Sequence, residues 1–359
     1  MTLCSNQYLC GMTSNIDFST NATLLTMELD EITFSGLTAG ESLAMEFTVQ
    51  VGQTTVDNWS ATYFADSAGS IRLSALGRMW NRYLTALRRA NDSSAPGITP
   101  GMLDVTIKYT TESSTTATCH RYLLYSRRRG SLAQTSYPPF LSRQKQTFQD
   151  AKERIWVLSS VSNLTITATA IYVRNGTQAI GTVNLSWEVS GTAGGSADVS
   201  PSVIAAGLPN GAVLKEYNIV IKRSGTTVGS CRYVIDQQVM PHTQLMWLNR
   251  WGVYETLSMN GTKTHTPERS VEFGWTGDDC TGLDMEVADE YEGSTGYVGD
   301  EEWSQVRDLA ESPIVWLWNG MTWHRVTITG VRLSRSMPSN EARACMVSYR
   351  LSDREAEWL

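Results

Sequence analysis

The thirteen residues Leu245-Met-Trp-Leu-Asn-Arg-Trp-Gly-Val-Tyr-Glu-Thr-Leu257 constrain the fold more than any other stretch, because eight of them are apolar or aromatic. A run this apolar on both faces cannot be a surface strand with one wet side. It predicts a strand buried from above and below, with Asn249 and Gly252 marking a bulge or turn. Asn260-Gly261 then predicts a two-residue hairpin turn, and Val271, Phe273 and Trp275 alternate in the strand expected to follow. Nothing in the segment donates, accepts or coordinates as chemistry would require, so it reads as the core of a domain.

At 359 residues the chain exceeds what one hydrophobic core usually serves. Residues 1–20 are polar and non-periodic and read as a flexible N-terminal arm. Leu43, Met45, Phe47, Val49 and Val51 alternate with Ala44, Glu46, Thr48 and Gln50, which predicts a half-buried strand. Ser74 is placed to cap a helix over 75–89, where Leu76, Met79, Trp80, Tyr83, Leu84 and Leu87 make an apolar stripe expected to pack on its own sheet. Strands return at 103–109 and 118–125, so 21–127 reads as a β-sandwich with one inserted helix. A basic, proline-bearing linker follows over 128–150. A second sandwich spans 151–238, with a hairpin across Ser224-Gly-Thr-Thr227. The third unit, 239–359, is mostly β, with an acidic loop, a short helix over 301–311, a hairpin around Asn319-Gly320 and a closing strand at 344–351. The expected fold class is all-β: tandem immunoglobulin-like β-sandwich domains with short inserted helices.

Composition bounds the function. The formal charge of −7 argues against a general nucleic-acid binder. No window approaches the roughly 18 apolar residues of a membrane helix, so membrane insertion is not expected. The N-terminus carries neither the basic residues nor the apolar block of a signal peptide. The cysteines are spread too widely for a disulfide scaffold and read as buried thiols, with Cys4 and Cys10 the pair most able to bridge. His120, His242, His265 and His324 lack metal-ligand spacing, and no nucleophile elbow, phosphate loop or dinucleotide fingerprint occurs. No enzyme activity, cofactor or metal is therefore expected. A glycan hydrolase stays open as a third reading, because its two carboxylates need no fixed spacing.

Two charge clusters stand out. Between Arg121 and Arg154 there are eight basic residues against two acidic, and from Glu272 to Glu311 thirteen acidic against one basic. Arg127, Arg128 and Arg129 on one side, and Asp278, Asp279, Asp284, Glu286, Asp289, Glu290 and Glu292 on the other, are the candidate interface residues. They could meet head-to-tail between subunits or inside one chain. The acidic run does not match the calcium-binding loop pattern and reads as a solvated loop. If the chain binds a glycan instead, Trp59, Trp251, Trp316, Trp318 and Trp323 are the candidates to stack on sugar rings.

The order Trp247-Leu-Asn-Arg-Trp-Gly-Val-Tyr-Glu-Thr256, an acidic stretch, Trp303-Ser-Gln-Val-Arg-Asp-Leu-Ala-Glu-Ser-Pro313 and a late Val-Thr-Ile-Thr329 resembles uncharacterised virion structural proteins, tail- or baseplate-like, of phages and prophages from gut Bacteroidetes. The likeness covers roughly 217–351 and touches the first half only in style. It implies a structural role, assembly in the bacterial host cytoplasm, homo-oligomers, and other virion proteins as partners. It brings no catalytic residues. A carbohydrate-binding adhesin that recognises a host surface glycan is the alternative.

Overall fold

The computed structural model describes residues 12–92, 94–97, 101–129, 144–158, 162–191, 194–237, 243–276, 279–298, 300–333 and 343–352. The fold is all-β, built in three units from five sheets, with short helices between strands.

In the first unit a five-stranded sheet runs in the order Ala22–Leu25, Thr116–Leu124, Met102–Thr111, Ser42–Val51, Thr54–Phe64. Strand alternation sets its faces: Leu43, Met45, Phe47 and Val49 are buried, as are Leu103, Val105, Ile107 and Tyr109. A smaller sheet of Thr13–Ser14, Ile32–Ser35 and Ile71–Leu73 covers part of that face. The expected arm over 1–20 is therefore ordered in its described part. Met12, Ile16 and Phe18 are buried, and Phe18 meets the Tyr109 ring edge-on at 4.7 Å. Arg121, itself buried, donates to the Thr20 and Asp17 carbonyls and pins this segment down.

Helix α1 spans Leu76–Asn91 and buries Leu76, Trp80 and Leu84. Its start corrects the expected Ser74 cap. Ala75 is left-handed (φ 63°), and the Leu76 and Gly77 N–H groups donate to the carbonyl and the carboxylate of Asp30, each at 3.1 Å. The cap comes from a residue distant in sequence, so no local signal announces it.

The second unit has a five-stranded sheet (Thr177–Leu185, Leu164–Arg174, Val213–Arg223, Thr226–Asp236, Gln144–Phe148) over a three-stranded one (Arg154–Val157, Gly194–Asp198, Val189–Gly191). Helix α2, Pro201–Ala206, follows the latter. The hairpin turn at Ser224-Gly225, with both residues at positive φ, is as expected. The linker expected over 128–150 is shorter than read, since Gln144–Phe148 pairs in parallel with Thr226–Asp236 as an edge strand.

The third unit corrects the reading of Leu245–Leu257. It is not one strand with a bulge but a hairpin of Thr243–Leu248 and Tyr254–Met259, with Leu245 opposite Leu257. The turn is buried. Asn249 Oδ1 accepts from the Trp251 and Val253 N–H groups, and Gly252 is left-handed (φ 78°) where a Cβ would come within 2.7 Å of Tyr125 Cβ. Nor is Asn260-Gly261 a hairpin turn. The chain carries on into Lys263–Thr276, which pairs with Asp279–Val298, and Gly261 N–H donates to Ser294 O at 3.0 Å while Ser294 N–H donates to Thr262 O at 2.9 Å. These bonds close the sheet (Tyr254–Met259, Thr243–Leu248, Val315–Trp318, Trp323–Leu333, Arg343–Leu351, Asp279–Val298, Lys263–Thr276) on itself. Inside lie Leu245, Trp247, Leu257, Leu317, Val347 and Tyr349, with Val306 and Leu309 of helix α3 (Asp300–Ala310) packed on them.

The first and third units share one core. Met246, Leu248, Val253, Tyr254 and Trp316 belong to the same apolar cluster as Phe47 and Trp80, and Trp156 joins them from the second unit.

Candidate functional site

The basic and acidic clusters meet inside the chain at one point. Arg127, half-buried at the end of the first unit, places Nη2 at 2.6 Å from Asp308 Oδ1 on α3 and Nη1 at 3.5 Å from Glu311. Asp308 is buried and also accepts from the Arg250 backbone N–H (3.0 Å) and the Trp247 indole N–H (3.4 Å). Arg127 is thus committed to its own third unit. Arg128 is exposed, and Arg129 lies 3.3 Å from Asp30.

A second polar centre joins the second and third units. Glu153 is 2 % exposed and accepts from Thr256 Oγ1 (2.6 Å), Gln244 Nε2 (2.8 Å) and Thr147 Oγ1 (3.2 Å). Burial pushes its pKa up, against the pull of Lys145 and these hydrogen bonds. Beside it opens a cleft of about 170 Å³ lined by Glu153, Asp198, Trp156, Tyr254 and Trp323 among others. Trp156 is buried with its indole N–H unpartnered among the described residues. Two carboxylates in a cleft invite a hydrolase reading. The Glu153 oxygens, however, are spent on Thr256, Gln244 and Thr147, so the group is held as structure rather than presented to a substrate.

The candidate stacking tryptophans are mostly packed. Trp59 is half-buried and stacks on Phe47 at 4.7 Å. Trp251 packs partly buried against the first core. Trp316 is 1 % exposed with the Arg325 guanidinium over its ring, and Trp318 is 8 % exposed with Lys152 over it. Neither offers a free face. Trp323 alone of the five lines the cleft.

The acidic residues fall on a two-stranded ribbon. Pairing with Arg343–Leu351 reaches Tyr291 opposite Tyr349; beyond it the strands pair only with each other, out to Thr276 opposite Asp279. In the backbone register Asp279 stands opposite Thr276, Asp284 opposite Glu272 and Glu286 opposite Ser270, and direct pairs share a face, so Glu272, Glu290 and Glu292 lie on one side. Trp275 falls on the other, opposite Cys280. Asp289 is also on that side, 2.8 Å from His265, while Glu292 pairs with Arg332 at 2.9 Å. Trp275, near the tip, is 72 % exposed. Asp278, Cys4 and Cys10 lie outside the described residues.

Sequence reasoning passed over the outer face of α1. Arg78, Arg82 and Arg89 recur at helical spacing opposite the apolar stripe and are exposed. With Thr85, Ala86, Tyr125 and Pro313 they border an open groove of about 650 Å³. The spacing was the signal that could have found it. Among the described residues no group of His, Cys, Asp and Glu is arranged to hold a metal ion, and no helix is long and apolar enough to cross a membrane.

No protein-family model matches the chain, and no curated protein matches it. Among solved structures it is similar to one titled "Crystal Structure of the Periplasmic Chaperone SfaE", at 10% identity and a TM-score of 0.21, over 63% of this chain and 100% of that one. At that TM-score the likeness carries no argument.

Proposed function

We propose that the chain is a non-enzymatic structural subunit of a phage particle, of tail or baseplate type, assembled in the host cytoplasm by packing against copies of itself and other virion proteins. The ribbon carries this reading. Two strands paired only with each other are marginal in water, and this pair carries a largely exposed Trp275 near its tip. A surface of that kind is stabilised when a neighbour covers it. The body behind it suits a load-bearing part: its units share a core and are tied by Arg127–Asp308 and the Glu153 cluster. The test is light scattering on purified protein, intact and with residues 266–289 replaced by a short Gly-Ser turn. The intact chain is expected to form a defined oligomer and the shortened one a monomer with an unchanged melt of the body. An intact chain that stays monomeric at every concentration overturns the reading.

The cleft supports a second reading, recognition of a host surface glycan. The cleft sets the aromatic rings of Trp156, Tyr254 and Trp323 beside the polar groups of Glu153, Arg154 and Asp198, the mixture of apolar face and hydrogen-bonding groups that a sugar ring needs. Trp323 and the unpartnered Trp156 N–H supply an aromatic wall and a donor. Saturation-transfer NMR with glucose, galactose and N-acetylglucosamine tests it. Signal that disappears in Trp323→Ala supports the site, and silence from all three sugars removes it.

A further inference from the structure

We infer that the ribbon tip of one copy docks in the α1 groove of the next, with Trp275 seated between Arg78 and Arg82. This rests on the assembly reading above and names the contact through which copies associate. Four observations bring the two surfaces together.

First, the ribbon runs about 34 Å from His265 to Trp275 at ~3.4 Å per residue, and beyond His265 its strands pair only with each other. Second, its end is an anchor: a tryptophan 72 % exposed, in a segment whose sequence carries Glu272, Asp278, Asp279 and Asp284. Exposed tryptophans that enter a pocket are typical hot spots of protein interfaces. Third, the groove is the complement. Ala86, Tyr125 and Pro313 line it together with Arg78 and Arg82, which are exposed and have no ion pair among the described residues. The other charges there are already engaged: Arg127 with Asp308, Glu311 with Arg127 and Arg307, and Arg89 with the Pro313 carbonyl. Two unpaired guanidiniums suit the indole face, and their positive charge suits the acidic segment that carries it. Fourth, tip and groove are different surfaces of the same chain, and the tip lies outside its own groove, since Trp275 is exposed. A tip-to-groove contact is therefore heterologous and propagates from copy to copy, closing as a ring or extending as a filament.

Complementation between two broken subunits is the decisive experiment. Trp275→Ala keeps the groove and spoils the tip, while Arg78→Glu with Arg82→Glu keeps the tip and spoils the groove. All three sites are exposed, so both variants are expected to melt like the wild type. By light scattering each variant alone should self-associate on the order of 30-fold more weakly, the loss expected of one hot-spot tryptophan. Mixed one to one, they share a single intact junction and should form a dimer that goes no further. A mixture that stays monomeric overturns the docking, as does an oligomer that neither variant weakens. In the latter case the assembly reading survives with another contact, whereas a wild-type chain that is monomeric throughout removes that reading itself.

Discussion

Arg127 Nη2 lies 2.6 Å from Asp308 Oδ1, and this pair fastens the end of the first unit to α3 of the third across a partly dry boundary. Asp308 also receives the Arg250 and Trp247 N–H groups, so one carboxylate satisfies donors on three residues. Asp308→Ala takes the carboxylate from all three and leaves the half-buried guanidinium to the Glu311 contact at 3.5 Å and the backbone carbonyl of 308 at 3.0 Å, at a cost of ~3 kcal/mol. Guanidinium chloride unfolding should show a lower midpoint, and a midpoint within error of wild type would mean the pair contributes nothing. Because Asp308 is 4 % exposed, salt should weaken this contact far less than a surface pair.

The first and third units are also joined by Tyr254, whose hydroxyl donates to Asp92. Both residues are buried, and burial, with Asp92 beside it, pushes the tyrosine pKa well above its usual value. Tyr254→Phe keeps the ring in the shared core and strips one hydrogen bond from a buried carboxylate, which then keeps Arg88 at 3.9 Å as its ion-pair partner. The expected loss is about 1–3 kcal/mol. Thermal melts at neutral pH check it, and an unshifted melt would show that the contact is dispensable.

Much of this architecture was written locally. The Leu43–Val51 alternation, the α1 stripe and the Asn319-Gly320 turn are short-range patterns, and each element formed where its period put it. The Leu245–Leu257 hairpin was hidden for a physical reason: its turn is buried against Tyr125, so apolar Trp251 and Val253 stand where an exposed turn would carry polar residues. The polar centres were invisible for another. Glu153 draws Gln244 and Thr256 from 91 and 103 residues away, and Arg127 finds Asp308 after 181, so each is an unremarkable charge until the chain folds. The acidic run was legible as charge, but that it pairs as a two-stranded ribbon shows only in the register.

Glu153 supplies a pH dependence whose sign is fixed by its surroundings. Burial raises its folded-state pKa above the unfolded value near 4.5, so the folded chain holds this proton more tightly. The contribution is present at low pH and is lost as pH climbs from the unfolded pKa through the folded one. Glu153→Gln keeps the side-chain shape and removes the titration. Melting temperatures of wild type and variant should diverge over that window, with the wild type losing stability relative to the variant as pH rises. A difference that stays flat across the window would show that the carboxyl titrates normally.

The thiols offer a direct view of the ribbon tip. Burial pushes Cys119 and Cys345 up to about 11 and Cys231 up to about 12, so at pH 8 each is almost wholly protonated as well as shielded. Cys280 is exposed and sits directly opposite Trp275 in the ribbon register. Iodoacetamide followed by peptide mapping should therefore modify Cys280 well before those three. If the tip docks in a neighbour's groove, Cys280 is covered with it, so modification should slow as protein concentration rises. Arg78→Glu with Arg82→Glu should restore the fast rate, since the groove no longer accepts the tip. A Cys280 rate that is independent of concentration in an oligomeric sample would place the tip outside the interface, and the contact between copies would then have to lie elsewhere on the body.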